Sequence, residues 1–254
     1  MSLPHAASTR RERRLAARLV QRQAPRKSRA AVRRLSPGLL SAIGVVGGLA
    51  VVMLAVLLGG RPTPAAADRP VVAVARVPAG VAADGFVLGR AGAPVTIDLY
   101  EDFQCPACQA WGRTVFPSLV ANELTAGTVR IVFHDMAFLG PESIDAGRAA
   151  YAASRQARFW DMWATLYANQ GRENSGAFSR VRLIAMADQL GLDIALFEAD
   201  MDSTEAQAAI DASRSNASQA GVESTPTLIV DGQKLVGAQG YADVIAVISA
   251  AAAR

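Results

Sequence analysis

The sequence predicts an α/β fold, a central mixed sheet flanked by helices with a helical insertion, preceded by one N-terminal transmembrane helix. Three observations carry this. Residues 95–100 and 128–133 are β-branched stretches of alternating polarity separated by a helix-length segment, so they read as neighbouring parallel strands. Residues 227–236 read as a hairpin, because Asp231-Gly232 supplies the positive φ values that a two-residue turn needs. Residues 39–58 carry no charge, and as a helix they would span ~30 Å, one bilayer crossing.

In chain order, residues 1–37 hold ten Arg and one Lys against one acid, Glu12, whereas the whole chain is only +4. The basicity therefore belongs to the tail, and the folded part is not expected to bind nucleic acid; a solvated basic cytoplasmic tail is the plain reading. A transmembrane helix over 38–58 follows. Ala65-Ala66-Ala67 resembles a signal-peptidase site, but the apolar run is longer than an h-region and the basic arm is long, so an uncleaved anchor is expected over a protein secreted after cleavage near Ala67. The positive-inside rule then keeps the N-terminus cytoplasmic and puts the C-terminal domain outside. A Pro/Ala-rich linker occupies 59–84, with a short edge strand expected at 71–77. The folded domain is 85–254, long enough for one core, and expected to be monomeric.

Within it, the strand at 95–100 leads into Cys105-Pro106-Ala107-Cys108, which contains the only two cysteines of 254 residues. Chance would give that spacing roughly once in a hundred such chains. A helix is predicted from Cys105 toward Leu124, disturbed at Pro117 and closed by Gly127; Pro106 suits its first turn, where no N–H partner exists. Cys105 at the helix N-terminus meets unpaired N–H groups that favour a thiolate, and Cys108 falls on the same face within disulfide reach. Zinc would need four ligands, and His5 and His134 lie far off, so no metal and no cofactor beyond a redox-active Cys105–Cys108 disulfide is expected. A static disulfide closing so short a loop would constrain the unfolded chain little. Cys105 should be the exposed, attacking sulfur and Cys108 the buried one.

Pro106 and Ala107 place no donor or cation beside the thiolate, so they should tune the couple to a milder oxidant. Glu101 and Asp102 are expected to be solvated turn residues; desolvated, they would disfavour the thiolate. His134 is expected as a packing histidine. From 141 to 220 the pattern is helical, with Ala149, Ala153, Phe159, Trp160, Trp163, Leu166 and Tyr167 as core rather than substrate groove. A last helix starts at Tyr241.

The stretch Tyr100-Glu101-Asp102-Phe103-Gln104-Cys105-Pro106-Ala107-Cys108, with Gly221-Val222-Glu223-Ser224-Thr225-Pro226-Thr227 about 120 residues later, resembles the DsbA-like branch of the thioredoxin superfamily. The resemblance runs from about Asp84 to the C-terminus. It implies a thioredoxin-like fold with the 141–220 helices inserted in it, a cis bond before Pro226, and substrate binding by Thr225 and Pro226. It also implies a membrane-anchored thiol:disulfide oxidoreductase whose Cys-Pro-Ala-Cys site introduces disulfides into exported proteins. A quinone-linked membrane partner, DsbB-like or vitamin K epoxide reductase-like, would reoxidise it. The alternatives are a reductase or isomerase of the same fold, or a non-catalytic copper(I)-binding or chaperone module.

Overall fold

The computed structural model describes residues 72–77 and 80–254. The expected basic tail, the transmembrane helix over 38–58 and residues 59–71 and 78–79 of the linker lie outside the described residues. Among the described residues no helix is long and apolar enough to cross a membrane.

A six-stranded sheet forms the centre: β1 (Ala83–Asp84), β2 (Val87–Gly89), β3 (Val95–Glu101), β4 (Val129–Asp135), β5 (Thr227–Val230) and β6 (Gln233–Val236), in the order β1-β2-β4-β3-β5-β6. β3 and β4 are parallel from Val95–Val129 to Glu101–Asp135. β5 lies antiparallel to β3, and β6 to β5. Val95, Ile97 and Leu99, and Val129, Ile131 and Phe133, are buried in alternation, as period two requires, until Tyr100 and Glu101 break the pattern at the end of β3. Asp231 and Gly232 take φ of 48° and 80°, the positive pair that closes the hairpin.

The helix after the cysteines is less regular than its sequence suggests. α1 (Pro106–Thr114) ends at Val115, a short α2 (Phe116–Leu119) carries Pro117 in its first turn, and a π-helical turn follows over Val120–Leu124. Proline at 117 has no N–H for an internal bond, so the chain restarts its helix around it and breaks before the proline. Gly127, at φ 75°, then donates its N–H to the Leu124 carbonyl at 3.1 Å and closes the segment.

The insertion consists of α3 (Pro141–Ser154), α4 (Phe159–Ala168), α5 (Arg180–Leu190), α6 (Ile194–Met201) and α7 (Thr204–Gln219); α8 (Tyr241–Ala252) returns to the sheet. Phe159, Trp160, Trp163, Leu166 and Tyr167 of α4 are buried, and the four aromatic rings stack or tilt against Phe103, Phe116 and Phe133. Burial of each such side chain is worth about 1.5–3 kcal/mol, so α4 is fixed as part of the core and can hold polar groups against the cysteine turn.

Two expectations are corrected. Residues 72–77 form no strand: Ala73 and Ala75 are instead bonded through N–H and C=O to the side chains of Asn169 and Thr165 at the end of α4. The sheet's outer edge is made by β1 and β2, which had no strand-like run in the sequence. β4 also extends past Phe133 to include His134, whose ring stacks on Tyr100 at 4.4 Å and bonds Asp98 Oδ1 at 2.8 Å, a packing role.

Candidate active site

The C-terminal end of β3, an inner strand, delivers Glu101, and three residues of turn bring Cys105 to the N-cap of α1 with Pro106 at its first position. The two thiols are free. Cys105, expected to be exposed, is itself buried at 7% exposure because the turn before Pro226 lies over it, while Cys108 is fully buried, so the sulfur expected to attack is only the less buried of the two.

Their chemistry diverges for identifiable reasons. The Cys105 thiol is lowered to about 6, first by the hydrogen bond from Cys108, and further by Thr225 and the N–H groups of Cys108 and Ala107, against the opposing effect of burial. Burial pushes Cys108 far above the ordinary thiol range, reinforced by its bond to Cys105 and the charge of Glu101. The stabilisation of Cys105 thus comes from backbone, hydroxyl and thiol donors, with no side chain of Pro106 or Ala107 contributing.

The Thr225-Pro226 bond is cis, and this turn lies against the cysteines across 120 residues of sequence. Cys105 Sγ donates to the Thr225 carbonyl at 3.4 Å, and the buried Thr225 hydroxyl has no oxygen or nitrogen partner. The β3–β5 ladder stops at Tyr100–Thr227, so Thr225 and Pro226 lie just beyond it. A shallow groove of about 580 Å³ opens on the other side of the site, between Pro106 and residues Gly171, Arg172, Glu173, Asn174 and Ser175. A further cavity of about 600 Å³ lies behind α1 against Trp163 and Tyr167, and neither cysteine lines it.

The expectation for Glu101 and Asp102 is overturned, for both are fully buried. Asp102 is saturated: Oδ1 accepts from the Gln104 N–H and the Ser143 hydroxyl, both at 2.7 Å, and Oδ2 from the N–H groups of Phe138 and Leu139 at 2.8 and 3.0 Å. That satisfies most of the lone pairs a buried carboxylate offers, so Asp102 organises the turn. Glu101 is different. Its Oε2 accepts from the Trp163 indole at 2.9 Å while Oε1 has no partner, and burial pushes its carboxyl up to about 8. A buried acid with one unpartnered oxygen, whose carboxyl is raised further by the charge of a Cys105 thiolate, is placed to respond to the charge state of the cysteine turn. Sequence reasoning assigned Glu101 no such role, because its burial comes from Trp163 in α4, 62 residues on.

Residues 82–250 match the thioredoxin family profile. The chain is similar to the probable disulfide bond formation protein D of Bacillus cereus, 27% identical over 150 residues that cover 57% of this chain and 69% of that protein. Among solved structures it is similar to oxidised BdbD from Bacillus subtilis, with a TM-score of 0.63, 20% identity, and coverage of 67% of this chain and 94% of that one. It is also similar to a thioredoxin-like oxidoreductase from Silicibacter pomeroyi, with a TM-score of 0.58, 25% identity, and coverage of 70% and 95%. The family match over the whole sheet and insertion, with a thiol pair at the head of α1, leads to one conclusion: the chain belongs to the thioredoxin family and is a DsbA-like thiol:disulfide oxidoreductase.

Proposed function

We propose that the protein is a dithiol oxidase, working through Cys105-Pro106-Ala107-Cys108, that introduces disulfides into exported proteins outside the cytoplasm. The observation that carries this is the placement of the two thiols: Cys105 at the N-cap of α1, where the N–H groups of Ala107 and Cys108 lower its thiol, and Cys108 fully buried behind it. Stabilising the Cys105 thiolate favours the reduced protein, and a protein stabilised in its reduced form oxidises its substrates.

In the first step a substrate thiolate bonds to Cys105 Sγ, the Cys105–Cys108 bond breaks, and its electron pair leaves on Cys108 Sγ, which takes a proton from neutral Glu101. A second substrate thiolate then attacks the substrate sulfur, and Cys105 departs as a thiolate, a good leaving group at its depressed pKa. Two substrate thiols have become a disulfide, and two electrons reside on the protein. A membrane quinone-linked protein of the DsbB-like or vitamin K epoxide reductase-like kind would remove them. Thr225 and Pro226 hold the substrate: Thr225 lies past the end of the β3–β5 ladder, where an extended segment adds as a short strand.

The basic run of residues 1–37 ahead of the uncharged 39–58 supports an anchored topology with the domain outside. A reporter active only outside the cytoplasm, fused after Arg254, should be active while the chain fractionates with membranes. The purified oxidised protein should also convert a reduced, unfolded two-cysteine protein to its disulfide form mole for mole. An inactive reporter, or a substrate left reduced, contradicts the proposal.

A further inference from the structure

Two glutamines cross-link the reacting turn to the end of α4. Gln109 of α1 donates to the carbonyl of Tyr167 at 2.7 Å, one of the last carbonyls of α4, which lack the regular partner of a mid-helix carbonyl. In the opposite direction the Gln170 amide donates to the carbonyls of Phe103 and Cys105, at 2.7 and 3.0 Å. The Cys105 carbonyl also receives the first helical bond of α1, from Gln109 N–H at 3.2 Å. Its orientation therefore sets how the first turn of α1, with the N–H groups of Ala107 and Cys108, faces the sulfur.

Gln170 is itself secured from the far side. Asn169 accepts from the Ala73 N–H at 2.9 Å and donates to the Ala73 carbonyl at 2.6 Å, while Thr165 makes the same reciprocal pair with Ala75 at 3.2 and 2.9 Å. Arg76 reaches Asp161 at 3.8 Å. The spacing matches physically: four helical residues rise ~6 Å and two extended residues ~6.6 Å, so successive turns of α4 meet alternate residues of the strap. One face of α4 thus grips residues 72–77, and the turn that follows it grips the cysteine turn.

We infer that Gln170 is a positioning residue for thiol exchange: its amide clamps the Phe103 and Cys105 carbonyls, and the Asn169–Ala73 clasp holds that amide in place. The inference rests on Cys105 being the attacking sulfur. The end of the N-terminal linker is then part of the active site's framework.

The test uses the full chain and two readouts, the pH dependence of Cys105 alkylation by iodoacetamide and the equilibrium with glutathione, with thermal unfolding followed in parallel. Gln170→Met keeps the length without a donor, and Gln170→Glu keeps the shape but turns an acceptor toward two carbonyls. Both should raise the alkylation midpoint by about one pH unit and lower the equilibrium constant for oxidising glutathione about tenfold, the effect of roughly one good hydrogen bond. Asn169→Ala should move both in the same direction, the midpoint by about half a pH unit and the equilibrium constant by about threefold. Gln170→His, which retains one N–H donor, should recover part of the loss and stands in if the other variants fold poorly. Variants at Gln170 that unfold more readily but match the wild type in both readouts overturn the inference. A wild-type Cys105 that does not alkylate below pH 7 overturns the reading of the site, and this inference with it.

Discussion

Cys108→Ser should accumulate disulfide-linked adducts with exported proteins, all through Cys105, while Cys105→Ser traps almost none. With both thiols present, a stalled adduct is released when Cys108 attacks Cys105 Sγ and expels the substrate thiolate. Serine cannot do this, so the adduct waits for a second substrate thiol. Without Cys105, the remaining Cys108 is fully buried, and burial holds its thiol protonated, so it neither meets nor attacks a substrate. The yields of trapped adduct should differ by at least about tenfold, read on non-reducing gels after acid quenching. Equal trapping would mean that the burial of Cys108 does not govern its access.

Glu101→Gln should slow the reaction and stabilise the fold, each with a pH signature. The Glu101 carboxyl titrates at about 8 in the fold against an ordinary 4.5. Between those values the unfolded chain has released a proton that the folded chain retains, so the wild type loses stability as pH rises from about 4.5 to 8. The substituted amide does not titrate and can still accept from Trp163. The variant should match the wild type near pH 4 and exceed it by a few kcal/mol near pH 8, in denaturant unfolding of the reduced protein. Proton exchange with Cys108 would then have to use water. General acid–base groups contribute about 10²–10⁴-fold, and water replaces part of that, so a loss of at least about tenfold in the rate of disulfide exchange is expected. An unchanged rate would remove Glu101 from the reaction and leave it as a buried acid alone.

What the sequence made legible was local. The β3 strand, the proline-led helix and the cysteine spacing each declare themselves within a few residues, and the hairpin turn depends on the Asp231-Gly232 dipeptide alone. The parallel pairing of β3 with β4 followed from the helix between them. What was hidden depended on partners far along the chain. Glu101 and Asp102 look like solvated turn residues until Trp163 and Ser143, from two inserted helices, close over them. Gln170 sits just past the end of α4 with no pattern to distinguish it from a surface glutamine, and its role exists only because the cysteine turn lies opposite. β1 and β2, of two and three residues, are too short for any periodicity to register. Residues 72–77 alternate like a strand but meet a helix, and polar side chains replace the ladder that a sheet edge would have provided.

The reduction potential of the Cys105–Cys108 couple, set against glutathione and resolved by quenched alkylation, separates an oxidase from a reductase. An oxidase whose reduced form is favoured by the Cys105 thiolate should lie above about −200 mV, between the strong oxidant DsbA near −120 mV and the reductant thioredoxin near −270 mV. The absence of any side-chain donor from Pro106 and Ala107 should keep it below the top of that range. A value at or below about −200 mV would place the protein with glutaredoxins and reductants, and would contradict its assignment as a dithiol oxidase.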